Sequence, residues 1–441
     1  MNATVSTPAI TAVRGHLVSL RDNPFVVGDT AAMWAEPDGL LLCRDGKIEA
    51  VGAWRELRDQ VPENVEVVHY DDALIVPGFI DCHVHYVQTG IIGAFGKQLL
   101  EWLENDVFPT EQRFADKAHA DVVAKLFCDE LLRNGTTTAL VFAATYPVSV
   151  DALFEEAERR NMRLIAGKVL MDRNAPDALL DTAQQGHDDS EALINRWHGR
   201  GRLGYAITPR FAITSSPAQL EAAGALWKAH PEVWVHTHLA ENRGEIEAVA
   251  GLYPDRSSYL DVYDHHGLVG RRAMFAHGVH LHDADFRHCH DTGAAIAHCP
   301  TSNLFLGSGL FPLHEACDPH RPVHVGLGTD VGAGTSFSLP TTAGAAYQVA
   351  QLRGHALTAP QLLYLATLGA ARALDLDDRI GSLEAGREAD FTVLDPHATP
   401  LLDFRSKQAG SLDEVLAVLM TLGDNRAVRA AWLAGQPTGP L

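Results

Sequence analysis

Cysteine is scarce in this chain. Six of 441 residues carry a thiol (Cys43, Cys82, Cys128, Cys289, Cys299 and Cys317), and none stand in C-x-x-C spacing. That argues against a disulfide framework and reads as free thiols in a reducing cytoplasm. Long apolar runs are missing too. None approaches the roughly 18 residues of a membrane span. The opening Met1-Asn2-Ala3-Thr4-Val5-Ser6 has no basic segment with an apolar stretch behind it, so no secretory start is expected. Positive charge is in short supply. With 35 Lys and Arg against 56 Asp and Glu, the net charge is −21. Such a field repels nucleic acid and anionic membrane, and neither is expected as a partner. Walker A, G-x-S-x-G and H-E-x-x-H are all absent. The stretch Gly326-Leu327-Gly328-Thr329-Asp330-Val331-Gly332 lacks the third fingerprint glycine of a dinucleotide loop.

Hydrophobic residues make up 46% of the chain and charged ones 21%, enough for a large core and too much for one small domain. Both ends read as β. Gly39–Cys43 and Lys47–Val51 flank Arg44-Asp45-Gly46, a hairpin signal, and Ala389–Asp395 and Ala427–Leu433 are further strand candidates. The two ends, 1–73 and 381–441, are expected to pair as one discontinuous domain. The middle, 74–380, alternates apolar runs with helical patterns. The eight runs are Ile75–Ile80, Thr138–Phe142, Arg163–Val169, Leu203–Ile207, Trp234–His238, Ala273–Ala276, Ala294–Ala297 and Val323–Leu327. Helices are expected over Asp121–Arg133, stopped by Asn134-Gly135, and over Val150–Arg160. Eight βα units predict an α/β fold of the (β/α)₈ TIM-barrel type rather than an open sheet.

Catalytic groups in such a barrel sit at the C-terminal strand ends. The first run is followed by His83 and His85. Residues two apart on a strand share a face, so both imidazoles can converge on one point. The fourth run leads into Thr208-Pro209-Arg210-Phe211. The fifth carries His236, His238 and Glu241. The sixth carries His277 and His280, the seventh His298, and the eighth Asp330. Three imidazoles, His83, His85 and His238, with the carboxylate of Asp330, make a mononuclear Zn²⁺ or Fe²⁺ site with room for water. The metal lowers that water's pKa to roughly 7, and Asp330 can take its proton. Glu241 stands where a general acid/base faces the substrate, if burial keeps it protonated near neutrality. His236 and His280 read as structural. His277 stays open between contact with substrate or water and a core imidazole. Arg210 is open between a surface ion pair and the pocket, and Asp330 has a rival reading as a helix N-cap.

Val76-Pro77-Gly78-Phe79-Ile80-Asp81-Cys82-His83-Val84-His85 resembles the opening signature of the amidohydrolase superfamily, and Gly386-Arg387-Glu388-Ala389-Asp390-Phe391 resembles its closing one. The resemblance implies a distorted barrel flanked by a small β-sandwich built from both termini. Many binuclear members carry a carboxylated Lys at the fourth strand; here Pro209-Arg210 stands there and Lys168 lies a strand earlier, which favours one metal. Within the superfamily the chain is similar to the guanine deaminases. The matching segments are His85-Tyr86-Val87-Gln88, Thr208-Pro209-Arg210-Phe211, His238-Leu239-Ala240-Glu241, Ala276-His277-Gly278-Val279, Cys299-Pro300-Thr301-Ser302-Asn303-Leu304 and Gly328-Thr329-Asp330-Val331-Gly332. One departure is Val87, where that family usually has Pro. The resemblance implies zinc, one per subunit, on His83, His85, His238 and Asp330, with His277 beside the metal water. It implies that Gln88, Arg210 and Phe211 hold a purine bordered by His238, in a homodimer. Two rival expectations are an aminohydrolase for another ring (8-oxoguanine, cytosine, a triazine) and a non-catalytic barrel that acts as an interaction protein. Residues 95–108, with Trp102 among them, are a candidate lid.

Overall fold

The computed structural model describes residues 9–95 and 98–439. The chain begins with β1 (Ile10–Leu20), β2 (Met33–Arg44), β3 (Lys47–Ala53) and β4 (Val67–Pro77). The hairpin between β2 and β3 turns on Asp45 and Gly46, both at positive φ (51° and 83°), which matches the right-handed twist of the paired strands.

The barrel strands follow: β5 (Phe79–His85), β6 (Thr136–Phe142), β7 (Arg163–Gly167), the two-residue β8 (Val169–Leu170), β9 (Gly204–Pro209), β10 (Trp234–Leu239), β11 (Ala273–His277), β12 (Ala295–His298) and β13 (His324–Leu327). Setting β8 aside as an offshoot of β9, they run in parallel in the spatial order β13-β12-β11-β10-β9-β7-β6-β5. This is the eight-stranded TIM-type barrel expected from the sequence. The run Ile75–Ile80 needs correcting, because it does not form one strand. Its first half belongs to β4 and its second to β5, in different sheets. Gly78 stands between them, and a Cβ there would lie 2.1 Å from Thr137 Oγ1, so only hydrogen fits.

Main-chain and side-chain bonds close the barrel between β5 and the residues after β13. Asp330 N–H donates to His83 O (2.8 Å) and His85 N–H to Val331 O (2.9 Å). The buried Asp81 carboxylate accepts from His83 N–H (3.1 Å), from Thr329 N–H (3.0 Å) and from the Thr329 hydroxyl. This seam fixes Asp330 beside His83 and His85.

The expected helices form, each starting a turn early. Lys117–Arg133 is capped by the Asp116 carboxylate, which accepts Ala118 N–H at 3.0 Å, and buries Ala120, Ala124, Phe127, Cys128 and Leu131. Pro147–Arg160 starts on a proline, whose missing N–H costs nothing in the first turn.

The chain returns through β14 (Phe391–Leu394), β15 (Val428–Leu433) and β16 (Gln436–Pro437). Helices Pro400–Ser406 and Leu412–Leu422, not foreseen from the sequence, lie between β14 and β15. Both termini share one sheet, ordered β16-β15-β14-β4-β1-β2-β3. Ala389 N–H, before β14, donates to Gly46 O in the β2–β3 turn (2.9 Å), and the Thr11 hydroxyl of β1 to Gly435 O after β15 (2.7 Å), so strands from opposite ends of that order meet and the sheet curls over itself. Arg202 joins the barrel floor to this unit through Glu388 (2.9 Å) and Asp390. All six cysteines are buried free thiols. Among the described residues, no helix is long and apolar enough to cross a membrane.

Candidate metal centre and adjoining pocket

β5 points His83 and His85 into the barrel mouth, and β10 adds His238. Asp330 follows β13. The Nε2 atoms of His83 and His85 are 3.2 Å apart, and those of His85 and His238 3.3 Å. Asp330 Oδ1 lies 3.1 Å from His83 Nε2 and 3.3 Å from His85 Nε2. A tetrahedron about a zinc ion, with ligands at about 2.0–2.1 Å, has edges of about 3.3 Å. The donor set therefore fits one such ion. Among the described residues, the His/Asp groups of ligand spacing all fall at this point.

Burial pushes the three imidazoles below their ordinary pKa, His85 to about 3, so each is a neutral lone-pair donor. Burial alone would raise Asp330; the neighbouring His83 and His85 hold it well below the carboxylate range. The outer nitrogens are anchored. His83 Nδ1 lies 2.7 Å from His236 Nε2, and His238 Nδ1 2.7 Å from Arg210 O. His85 Nδ1 lies 3.2 Å from the Gln88 amide. The contacts of His83 and His238, each with an acceptor, fix tautomer and ring plane. Phe142, at the end of β6, packs its ring 4.6 Å from His85 and 4.7 Å from His238. A buried Phe contributes roughly 1.5–3 kcal/mol.

Three non-glycine residues at strand ends around this point take left-handed backbone: Ala240 (φ 48°), His277 (75°) and Asp330 (50°). Each costs on the order of 1 kcal/mol or more, and such strain gathers where side chains must be aimed.

Glu241 is buried. Desolvation and the charge of Asp330 push its carboxyl up to about 8, against a 3.1 Å hydrogen bond from Ser308 Oγ. His277 Nε2 lies 3.5 Å from Glu241 Oε2 and 3.7 Å from Asp330 Oδ2. Its Nδ1 faces Asn303 Oδ1 at 2.9 Å. Thus His277 touches both carboxyls rather than sitting in apolar core. Beyond this group lies a pocket lined by Gln88, Leu99, Trp102, Leu103, Arg210 and Phe211. Arg210 is buried and pairs with Glu111 at 2.8 and 3.0 Å, which decides its open reading for the pocket. Gln88 Nε2 donates to the same carboxylate at 3.1 Å. Phe211 sets its ring 6.3 Å from that of His238.

Every predicted site residue therefore meets at one barrel mouth. His280 does not; its Nε2 bonds Ser308 O at 2.8 Å. Lys168 is buried elsewhere, paired with Asp181. Sequence reasoning missed Glu111, Ser308 and Phe142, and gave Asn303 no role. Of these, Asn303 lay in a segment shared with the resembled family and Phe142 at the end of the second apolar run; Glu111 and Ser308 lay in neither. From the candidate lid 95–108, Leu99, Trp102 and Leu103 line the pocket, while Gly96 and Lys97 lie outside the described residues.

A metal-ligating barrel mouth with a protonated carboxyl beside it defines a class of hydrolytic barrel. Residues 74–438 match the amidohydrolase family, and the chain belongs to it. Guanine deaminase of Escherichia coli is 51% identical over 96% of this chain and 97% of its own length. The solved E. coli structure superposes with a TM-score of 0.94, covering 97% of this chain and 99% of that one at 50% identity. Guanine deaminase from C. acetobutylicum, solved with guanine in its active site, matches at TM-score 0.87 and 26% identity over 97% of this chain and all of that one (100%). An adenosine deaminase from Xanthomonas campestris with bound zinc matches at TM-score 0.83 and 25% identity, covering 97% and 92%.

Proposed function

We propose that this chain hydrolyses guanine to xanthine and ammonia, with one zinc ion held by His83, His85, His238 and Asp330. The observation that carries the reading is the placing of Glu241, a buried carboxyl raised to about 8, between that donor cluster and a pocket walled by Arg210, Gln88 and Phe211. Likeness to guanine deaminases over nearly the whole chain supports it.

When bound, zinc supplies Lewis acidity that brings a water's pKa to roughly 7. Asp330 keeps Oδ1 on the His83–His85 side and turns Oδ2 toward His277, where it receives the water's proton. As the water oxygen bonds to C2 of guanine, Glu241 gives its proton to N3, so negative charge does not build on the ring. Asp330 then passes its proton to the exocyclic nitrogen. The C2–N bond breaks, ammonia leaves, and the hydroxyl proton on C2 restores Glu241. His277, held by Asn303, spans the two carboxyls and keeps them oriented. Arg210 donates to the O6 carbonyl, Gln88 donates and accepts at the purine edge, and Phe211 covers a ring face.

Incubation with guanine tests this directly. Loss of guanine absorbance, with xanthine and equimolar ammonia formed, is expected; ammonia from another azine but not from guanine would overturn it. One zinc per subunit and a cytoplasmic homodimer belong to the same reading, checked by elemental analysis and sedimentation.

A further inference from the structure

We propose that Glu111 is a positioning residue that sets specificity: it holds Arg210 and Gln88 so that the pocket takes purines bearing a carbonyl at C6. The inference rests on the guanine reading above and assigns the work of discrimination within it.

Glu111 is fully buried. Its carboxylate accepts from Arg210 Nη1 at both oxygens (3.0 and 2.8 Å) and from Gln88 Nε2 (3.1 Å). A buried carboxylate is tolerated only when paired and hydrogen-bonded, and here its partners are two residues of the pocket wall. The contact uses only one end of the guanidinium. Arg210 Nε and Nη2 make no hydrogen bond to another described residue, and Arg210 lines the pocket. A guanidinium carries donors alone. Held at Nη1, it favours a ring edge that presents acceptors, such as a 6-carbonyl. A 6-amino group would set donor against donor. Sites built this way discriminate strongly, because a mismatched ligand leaves buried polar groups unpaired.

The wiring extends to the metal side, since Arg210 O is also the partner of His238 Nδ1. It extends to the roof as well. Glu111 lies in a helical stretch whose earlier residues Leu99, Trp102 and Leu103 line the pocket, with a π-helical turn over Leu103–Val107 on the way. Such turns recur at functional sites. The segment that covers the pocket thus also delivers the carboxylate that orients its reader.

Two non-reacting ligands separate this role from general pocket damage. Hypoxanthine has the 6-carbonyl; unsubstituted purine lacks it; neither carries the 2-amino group. Glu111→Gln is expected to weaken hypoxanthine binding about tenfold or more and purine less than twofold, with kcat/KM for guanine falling in step with hypoxanthine and zinc content unchanged. Glu111→Asp, which keeps the charge, should fall between wild type and the Gln variant, and it serves if the latter does not fold. Equal weakening of both ligands, or of neither, would overturn the proposal. A wild type that releases no ammonia from guanine would instead sink the functional reading, while the hypoxanthine-to-purine comparison would still judge Glu111.

Discussion

His83 and His236 sit ring edge to ring edge, with 2.7 Å between Nδ1 of the first and Nε2 of the second. With Nε2 of His83 turned to the donor cluster, its Nδ1 carries the proton and His236 accepts it. Burial keeps His236 far below its ordinary pKa, so it is neutral and able to accept. His236 offers no atom to the metal point, yet it fixes the tautomer of a residue that does. Replacing it with Ala should weaken zinc affinity about 10–100-fold. Competition with a chelator measures this. Glu and Asp aside, Gln is the substitution that keeps an acceptor there and should retain most of the affinity. Equal affinity in wild type and the Ala variant would refute the role.

Glu241→Gln keeps the shape and removes the proton. Turnover should drop by about 10²–10⁴-fold while zinc stays bound. In the wild type the neutral acid is the working form, and its carboxyl titrates near pH 8, so kcat/KM should decline as pH rises through about 8. A variant as fast as wild type would remove Glu241 from the mechanism.

Behind Glu241 lies Glu245, whose Oε2 accepts the N–H groups of Glu241 (2.8 Å) and Asn242 (3.0 Å). Burial, then the charge of Glu241, pushes it up to about 7. In the unfolded chain a Glu titrates near 4.3. Between these values the folded state keeps a proton that the unfolded state has released, so stability falls as pH rises across that window, by up to about 4 kcal/mol. Glu245→Gln stays neutral and should lose this slope. It should match wild type near pH 4 and exceed it at pH 8 in denaturant melts. An unaltered slope in the variant would count against this protonation.

Gly78→Ala places a Cβ against the Thr137 side chain, where the nearest atom is 2.1 Å away. Overpacking of this kind costs about 1–3 kcal/mol. Thermal or urea unfolding reads it, and adding Thr137→Ala should recover part of the loss. A variant as stable as wild type would show that the strand crossing yields.

The metal side was legible because a period of two residues, His83 and His85, survives in any strand, and because barrel topology says which strand ends meet. The division of Ile75–Ile80 was not legible. Two strands buried in different sheets both read as apolar, and only Gly78 marks the change. The helix Leu412–Leu422, capped by Ser411, was hidden by treating the whole C-terminal stretch as β. Glu111 could not be found from its neighbours. Its partners, Gln88 and Arg210, lie 23 and 99 residues away, and no local pattern announces a carboxylate whose meaning is set by tertiary contact.

The pairing of β4 with β14, Pro77 beside Phe391, has a consequence for biosynthesis. A ribosome adding about 5–20 residues per second leaves one flank of β4 bare for roughly 15–60 s before its partner emerges. During that interval the nascent chain displays an open apolar edge suited to intermolecular association. Yield in a cell should therefore track chaperone supply and elongation rate more closely than the resilience of the finished enzyme.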